Sequence, residues 1–260
     1  MPVANGLYYS AHGETLQNKP PVLLLHGAGG THLNWPPQVR RLDSQRIFAI
    51  DLPGHGNSEG AGYRDILQYA RAVTKFMQTI HLSAAVVVGH SMGSAIALTM
   101  ALQFPGRVLG LGLLGSGAKL RVAKSILELA AKPEAFPILI QMLGDLSYGP
   151  HTPPRLKELG AQRLAETHPS VLYGDFLACD AFDVMQKVHD IQVPTLLLCG
   201  SEDQMTPPNR SEYLHSQIEG SRLHILPGVG HMLMLEAPNE TARLLGEFLN
   251  EILVPEFQAK

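Results

Sequence analysis

The chain has 260 residues, 45% hydrophobic and 17% charged, with a formal net charge of −3. That is the composition of a folded domain with a sizeable core, and it excludes a disordered segment. The slightly acidic balance and the lack of any Lys/Arg run argue against a nucleic-acid partner. The longest apolar runs, such as Ala84 to Val88, are too short to cross a bilayer. No basic segment followed by an apolar one opens the chain, which points to a cytoplasmic protein with no membrane partner. The only cysteines, Cys179 and Cys199, make no disulfide framework, and Cys199 reads as a small core residue.

In chain order, Asn5-Gly6 between Val3-Ala4 and Leu7-Tyr8-Tyr9 predicts a short opening hairpin. Six apolar runs follow: Val22 to Leu25, Ile47 to Ile50, Ala85 to Val88, Val108 to Leu114, Thr195 to Cys199 and Leu223 to Leu226. None alternates polar with apolar residues, as expected of strands buried on both faces of a parallel sheet. Between them, Ile66, Ala70, Val73, Met77 and Ile80 share one helical stripe, as do Ala242, Leu245, Phe248, Leu249 and Ile252. Ala95 to Leu102 is apolar all round, as a helix deep against a sheet is, and Phe104-Pro105-Gly106 stops it. Alternating strand and helix predict an α/β domain with a mostly parallel central sheet and helices on both faces. From about Ala118 to His189 the rhythm breaks. Helical pattern there is interrupted by Pro133, Pro137, Pro150, Pro153-Pro154 and Pro169. The expected organisation is a core of residues 1–117 and 190–260 with a helical cap over 118–189.

Gly89-His90-Ser91-Met92-Gly93 fits G-x-S-x-G and lies between a strand and a helix, the context this nucleophile turn requires. The turn strains the serine backbone, and glycines two positions to either side keep the neighbouring chain from clashing. A serine hydroxyl needs a base to take its proton. His231, in Gly228-Val229-Gly230-His231 after the last strand, is chosen by position from 12 histidines. The imidazole needs a carboxylate to fix its tautomer. Asp203 follows the strand ending at Cys199, with Glu202 the rival. The order Ser, Asp, His is the one used by sheets that carry this elbow.

These segments, with His26-Gly27-Ala28-Gly29-Gly30 and Asp51 to Ser58, resemble the α/β-hydrolase superfamily in its capped single-domain form, across nearly the whole chain. The resemblance implies an oxyanion hole of the Ala28 and Met92 backbone N–H groups. It also makes Asp51 to Ser58 a structural turn, with His55 packed rather than acting as a second base. Trp35, just past the glycine loop, His90 beside the nucleophile, and Met142, Tyr148 and Phe182 in the insertion are expected to border the pocket.

Gly110-Leu111-Gly112-Leu113-Leu114-Gly115 matches G-x-G-x-x-G, but its glycines lie inside a strand that no helix continues, so nucleotide binding is rejected. No H-E-x-x-H or paired C-x-x-C exists, so neither metal nor cofactor is expected. The expected function is hydrolysis of small to medium apolar carboxylic esters through an acyl-enzyme. Lactonase, thioesterase and C–C hydrolase chemistry on the same triad stay open, as does a ligand-binding receptor of this fold with little turnover. A serine at the nucleophile position disfavours dehalogenases and epoxide hydrolases, which carry aspartate there.

Overall fold

The computed structural model describes residues 2–16 and 18–252. β1 (Val3–Ala4) and β2 (Leu7–His12) make the opening hairpin, turned by Asn5 and Gly6 at φ 49° and 74°. Two consecutive positive φ angles are what a two-residue hairpin turn matching strand twist requires. The six apolar runs become β3 (Val22–Leu25), β4 (Ile47–Ile50), β5 (Ala85–His90), β6 (Val108–Leu114), β7 (Thr195–Gly200) and β8 (Arg222–Leu226). They join in one eight-stranded sheet of order β1-β2-β4-β3-β5-β6-β7-β8. β2 runs antiparallel to β4, and every pairing from β4 through β8 is parallel.

The helices are α1 (Pro37–Arg40), α2 (Ile66–Thr79), α3 (Met92–Gln103), α4 (Lys124–Ala130), α5 (Phe136–Ser147), α6 (Pro154–Ala165), α7 (Pro169–Ala181), α8 (Pro208–Gln217), α9 (Leu233–Glu236) and α10 (Pro238–Glu251). Successive strand residues point to opposite faces, so the sheet feeds two cores. Leu23, Leu25, Val87, Leu111, Leu113 and Leu197 pack with α2, α3 and α8. Val22, Leu24, Val86, Val88, Leu196 and Leu198 pack with α1 and α10. Each such side chain fully buried contributes about 1.5–3 kcal/mol. β8 departs from the expectation of burial on both faces: Arg222, His224 and Ile225 are exposed. It is the edge strand, so water replaces one neighbour.

The glycines of the G-x-G-x-x-G stretch make room for packing. A Cβ at Gly110 would lie 2.7 Å from Ile252 Cδ1, and one at Gly112 would lie 3.0 Å from Val88 Cγ2. Between β6 and β7 the chain leaves the sheet for α4 to α7. These gather a separate apolar cluster that includes Ile126, Leu139, Ile140, Leu143, Leu172 and Phe176. Lys119 and Asp183 close its base through an isolated bridge. The chain moves from β3 outward to β4, then back across to β5. That reversal makes the β3/β5 boundary the topological switch point, where the carboxyl ends of the strands open a crevice.

A close backbone approach in this region sets a test. A Cβ at Gly93 would stand 2.2 Å from the Leu25 carbonyl oxygen, a backbone atom without freedom to move away. Gly93→Ala must lift α3 from β3, and thermal unfolding should show a loss of about 10 °C or more. Gly106→Ala, whose Cβ meets nothing within 4 Å, should leave the midpoint within about 2 °C.

Candidate active site

Ser91 stands between the end of β5 and the start of α3 with φ 53° and ψ −115°, a combination that a residue with a Cβ avoids. The surroundings impose it. Ser91 N–H donates to Leu114 O at 2.9 Å, and its carbonyl accepts from Ser94 Oγ at 2.5 Å. A Cβ at Gly89 would lie 2.1 Å from Gly93 O, so the sharp reversal needs the glycine. Met92 begins α3, so its N–H is one of the helix's unpaired first-turn donors and adds to the positive end beside Ser91.

Asp203, at the loop after β7, is buried, and its Oδ2 lies 2.9 Å from His231 Nδ1. Its other oxygen accepts from the Met205 and Thr206 N–H groups at 2.9 and 2.8 Å. Thr206 Oγ1 donates to Oδ2 at 2.8 Å. Burial works to raise the Asp203 pKa, but His231 and the Thr206 donors outweigh it, and the carboxyl lies below its ordinary value. Glu202 is exposed and faces Ser201 Oγ instead. The loop after β8 brings His231 inward: its N–H donates to Ser147 O at 2.9 Å. Gly115, at φ 53°, clears space for the ring, since a Cβ there would lie 3.1 Å from His231 Nδ1. His90 Nε2 donates to His231 O at 2.9 Å. Burial, and then the neighbouring His231, push the His90 pKa down to about 3, so His90 stays neutral. Ser91 and His231 line one cavity without a hydrogen bond between them. Such bonds often tighten only when substrate is bound.

The glycine loop after β3 forms the opposite wall. His26 is fully buried; its Nδ1 donates to Gly27 O at 2.8 Å, and its Nε2 accepts from Leu52 N–H at 2.9 Å. Burial, followed by the charge of His55, lowers its pKa, which preserves the acceptor nitrogen. Asp51 accepts from His32 N–H at 2.6 Å and Asn57 N–H at 3.0 Å, and pairs with His32 Nδ1 at 2.8 Å. The Asp51 to Ser58 turn therefore shapes the loop from behind. Ala28 lies on the cavity wall beside Gly27 and Gly29.

The cavity has a volume of about 1030 Å³. Its apolar wall comes from the insertion, through residues such as Ile126, Ile140, Leu143, Leu159, Leu164 and Phe176. Of the expected pocket residues, His90 and Tyr148 line it, while Trp35, Met142 and Phe182 do not. Trp35 is wholly buried in the core layer of α1 and α10, and Phe182 packs in the layer of α2 and α3. Met142 lies beside the cavity-lining Leu143 on α5 and joins the insertion's own packing. Helical periodicity marks an apolar stripe but not which part of it faces a void. Thr206 carried no sequence signal beyond its place three residues after Asp203. Among the described residues, no helix is long and apolar enough to cross a membrane, and no group of three or more His, Cys, Asp or Glu side chains is placed to hold a metal.

Known proteins place this geometry in a family. Residues 22–244 match the model of the alpha/beta hydrolase family. The chain is 30% identical to a pimeloyl-[acyl-carrier protein] methyl ester esterase of Neisseria meningitidis over 252 residues, 89% of this chain and 94% of that one. It is 31% identical to a thermophilic esterase of known structure, at a TM-score of 0.82 and with 96% of each chain covered. The enol-lactonase from Burkholderia xenovorans LB400 superposes at a TM-score of 0.88 over 95% of this chain and 98% of its own, but at 24% identity it shows the fold alone. By the extent of the family match and the identity to these relatives, the chain belongs to the alpha/beta hydrolase family.

Proposed function

We propose that this hydrolase cleaves carboxylic esters through an acyl-enzyme on Ser91. The observation that carries the reading is the buried Asp203–His231 hydrogen bond of 2.9 Å, facing the cavity onto which strained Ser91 opens. His231 Nε2 takes the proton as Ser91 Oγ attacks the ester carbonyl, and Asp203 holds Nδ1 protonated and supports the imidazolium. The Ala28 and Met92 N–H groups receive the oxyanion, each contributing about 3 kcal/mol to the transition state. His231 returns the proton to the leaving alcohol, then activates water to release the acid. No step calls on a cofactor.

In the same reading, residues 118–189 act as the cap and choose the substrate, while 1–117 and 190–260 supply the chemistry. A cavity of about 1030 Å³ lies at the top of the range for small-molecule sites, so a medium chain fits together with its alcohol. Arg163 and Arg210 at its rim donate to the backbone carbonyls of Leu33 and Lys119, and Arg121 and Glu166 line it as well, so the support for an uncharged ligand is the aliphatic wall of the insertion.

An organophosphonate should add one label per chain, on Ser91, and Ser91→Ala should abolish labelling and turnover together; mass spectrometry showing another serine modified overturns the assignment. Asp203→Asn should lower kcat by up to about 10⁴-fold, with Glu202→Gln near wild type. Thr206→Val removes one donor from a charged acceptor, so kcat should fall by about tenfold. Reversed results at 202 and 203 in steady-state kinetics would move the acid to Glu202. Across acetyl to palmitoyl esters, kcat/KM should climb to a short or medium optimum, with each buried methylene adding about 0.8 kcal/mol, then decline. A flat profile, or preference for a charged ester, refutes the apolar pocket.

A further inference from the structure

Asp175 lies on α7 and is wholly buried. Three core elements donate to its carboxylate. Gly29 N–H and His55 Nε2 reach Oδ2, each at 2.8 Å, and the Tyr69 hydroxyl reaches Oδ1 at 2.6 Å. From the α6–α7 connection, Thr167 Oγ1 donates to Gly29 O at 2.7 Å. Both polar backbone atoms of Gly29 are thus held by the insertion. Two more of its side chains press on the same residue: a Cβ at Gly29 would lie 2.5 Å from Leu164 Cδ1 and 2.9 Å from Leu172 Cδ1. Gly29 takes φ 63°, a backbone conformation that favours glycine.

The Gly29 N–H shares its peptide plane with the Ala28 carbonyl. Holding that plane fixes rotation on the C-terminal side of Ala28. On the other side, His26 holds the Gly27 carbonyl, which shares its peptide plane with the Ala28 N–H. We infer that Asp175 is a positioning residue whose carboxylate, through the Gly29 N–H, sets the aim of the Ala28 N–H at the oxyanion. This rests on the reading of Ala28 as an oxyanion donor. The carboxylate is tolerated in the interior because His55 matches its charge. Both His55 nitrogens face acceptors, Pro53 O at 3.0 Å and Asp175 Oδ2 at 2.8 Å. Burial works against the imidazolium, but the Asp175 charge prevails and the His55 pKa is raised.

The competing account is a purely structural anchor of insertion to core, and three variants of the full chain separate the two. Steady-state kinetics on a butyryl ester, thermal unfolding, and inhibition by an alkyl trifluoromethyl ketone, whose serine adduct carries an oxyanion, are measured on each. For Asp175→Asn, kcat should fall by about 10- to 100-fold with KM within about threefold, and the ketone should weaken by a similar factor. Tyr69→Phe removes the donor on the other carboxylate oxygen, so Tm should fall while kcat stays within about twofold. Thr167→Val should lower kcat and ketone affinity by about three- to tenfold. Loss of kcat in proportion to loss of Tm across the set, or an Asp175→Asn effect confined to KM, overturns the inference. If Asp175→Asn fails to fold, Thr167→Val decides, and unchanged kcat and ketone affinity there overturn it as well. A wild-type chain that neither hydrolyses esters nor takes phosphonate at Ser91 sinks the functional reading and this inference together. An active wild type with a purely structural pattern in the variants sinks only the inference.

Discussion

The backbone of Ser91 is the constraint on which the rest of the site depends. Its φ of 53° and ψ of −115° are held because three backbones converge there with no Cβ between them. Gly89 faces Gly93 O, and Gly93 faces Leu25 O. Such an approach needs β5 flanked in parallel register on both sides, by β3 through Leu25↔Gly89 and by β6 through His90↔Leu114. The strain of one residue, of order 1–3 kcal/mol, is small beside the burial of the apolar strands that impose it. What the sheet provides is a hydroxyl lifted to the crevice at the switch point, next to a helix N-terminus.

Around that point, polar groups are buried in connected sets, and their protonation states depend on one another. The rings of His26 and His55 lie 4.8 Å apart. Burial works to lower the His55 pKa but Asp175 outweighs it and raises it, and the charge of His55 adds to burial in lowering the His26 pKa. A neutral His26 keeps Nε2 as the acceptor for Leu52 N–H, which ties the glycine loop to the turn after β4. On the opposite wall, His90 is kept neutral and clamps the carbonyl of His231. The two walls thus use buried, uncharged histidines as rigid linkers, leaving His231 as the imidazole paired with a carboxylate at the cavity. The set around His26 and His55 is fully partnered, whereas His90 Nδ1 is buried without a hydrogen-bond partner among the described residues.

Much of this was legible in the sequence, and the reason is local. An elbow, a base loop and an acid loop are each short motifs at strand ends, and apolar runs mark the strands. Position along the chain picks His231 from the other histidines, whereas Asp203 and its neighbour Glu202 are told apart by the hydrogen bond to His231. Asp175 was not legible, because its partners Gly29, His55 and Tyr69 lie in distant segments and no spacing rule links them. The exposure of β8 did have a sign in Arg222 and His224, polar residues within the strand where the central strands carry apolar ones. Pocket residues failed where a single apolar stripe serves both packing and void. Trp35 went to the core, while Tyr148 reached the cavity.

The insertion divides into a fixed part and a free part, and the division follows burial. α7 carries Asp175 at its centre and buries Val171, Leu172, Phe176 and Cys179, and Asp175 binds it to the glycine loop after β3. α6 has no buried residue, yet Leu156, Leu159, Ala161 and Leu164 contribute to the cavity wall. Leu156 and Leu159 on α6 reach the cavity without being buried, so their size can change with little cost to the core, whereas Leu164 presses on Gly29. Asp175 and Leu172 on α7 have no such freedom, because both bear on Gly29. On the proposed reading of the insertion as a cap, a new substrate shape is accommodated first at Leu156 and Leu159. On that reading the fold separates the side chains that select a substrate from Asp175, which holds the loop beside Ala28, although both hang from one uninterrupted stretch of chain between β6 and β7.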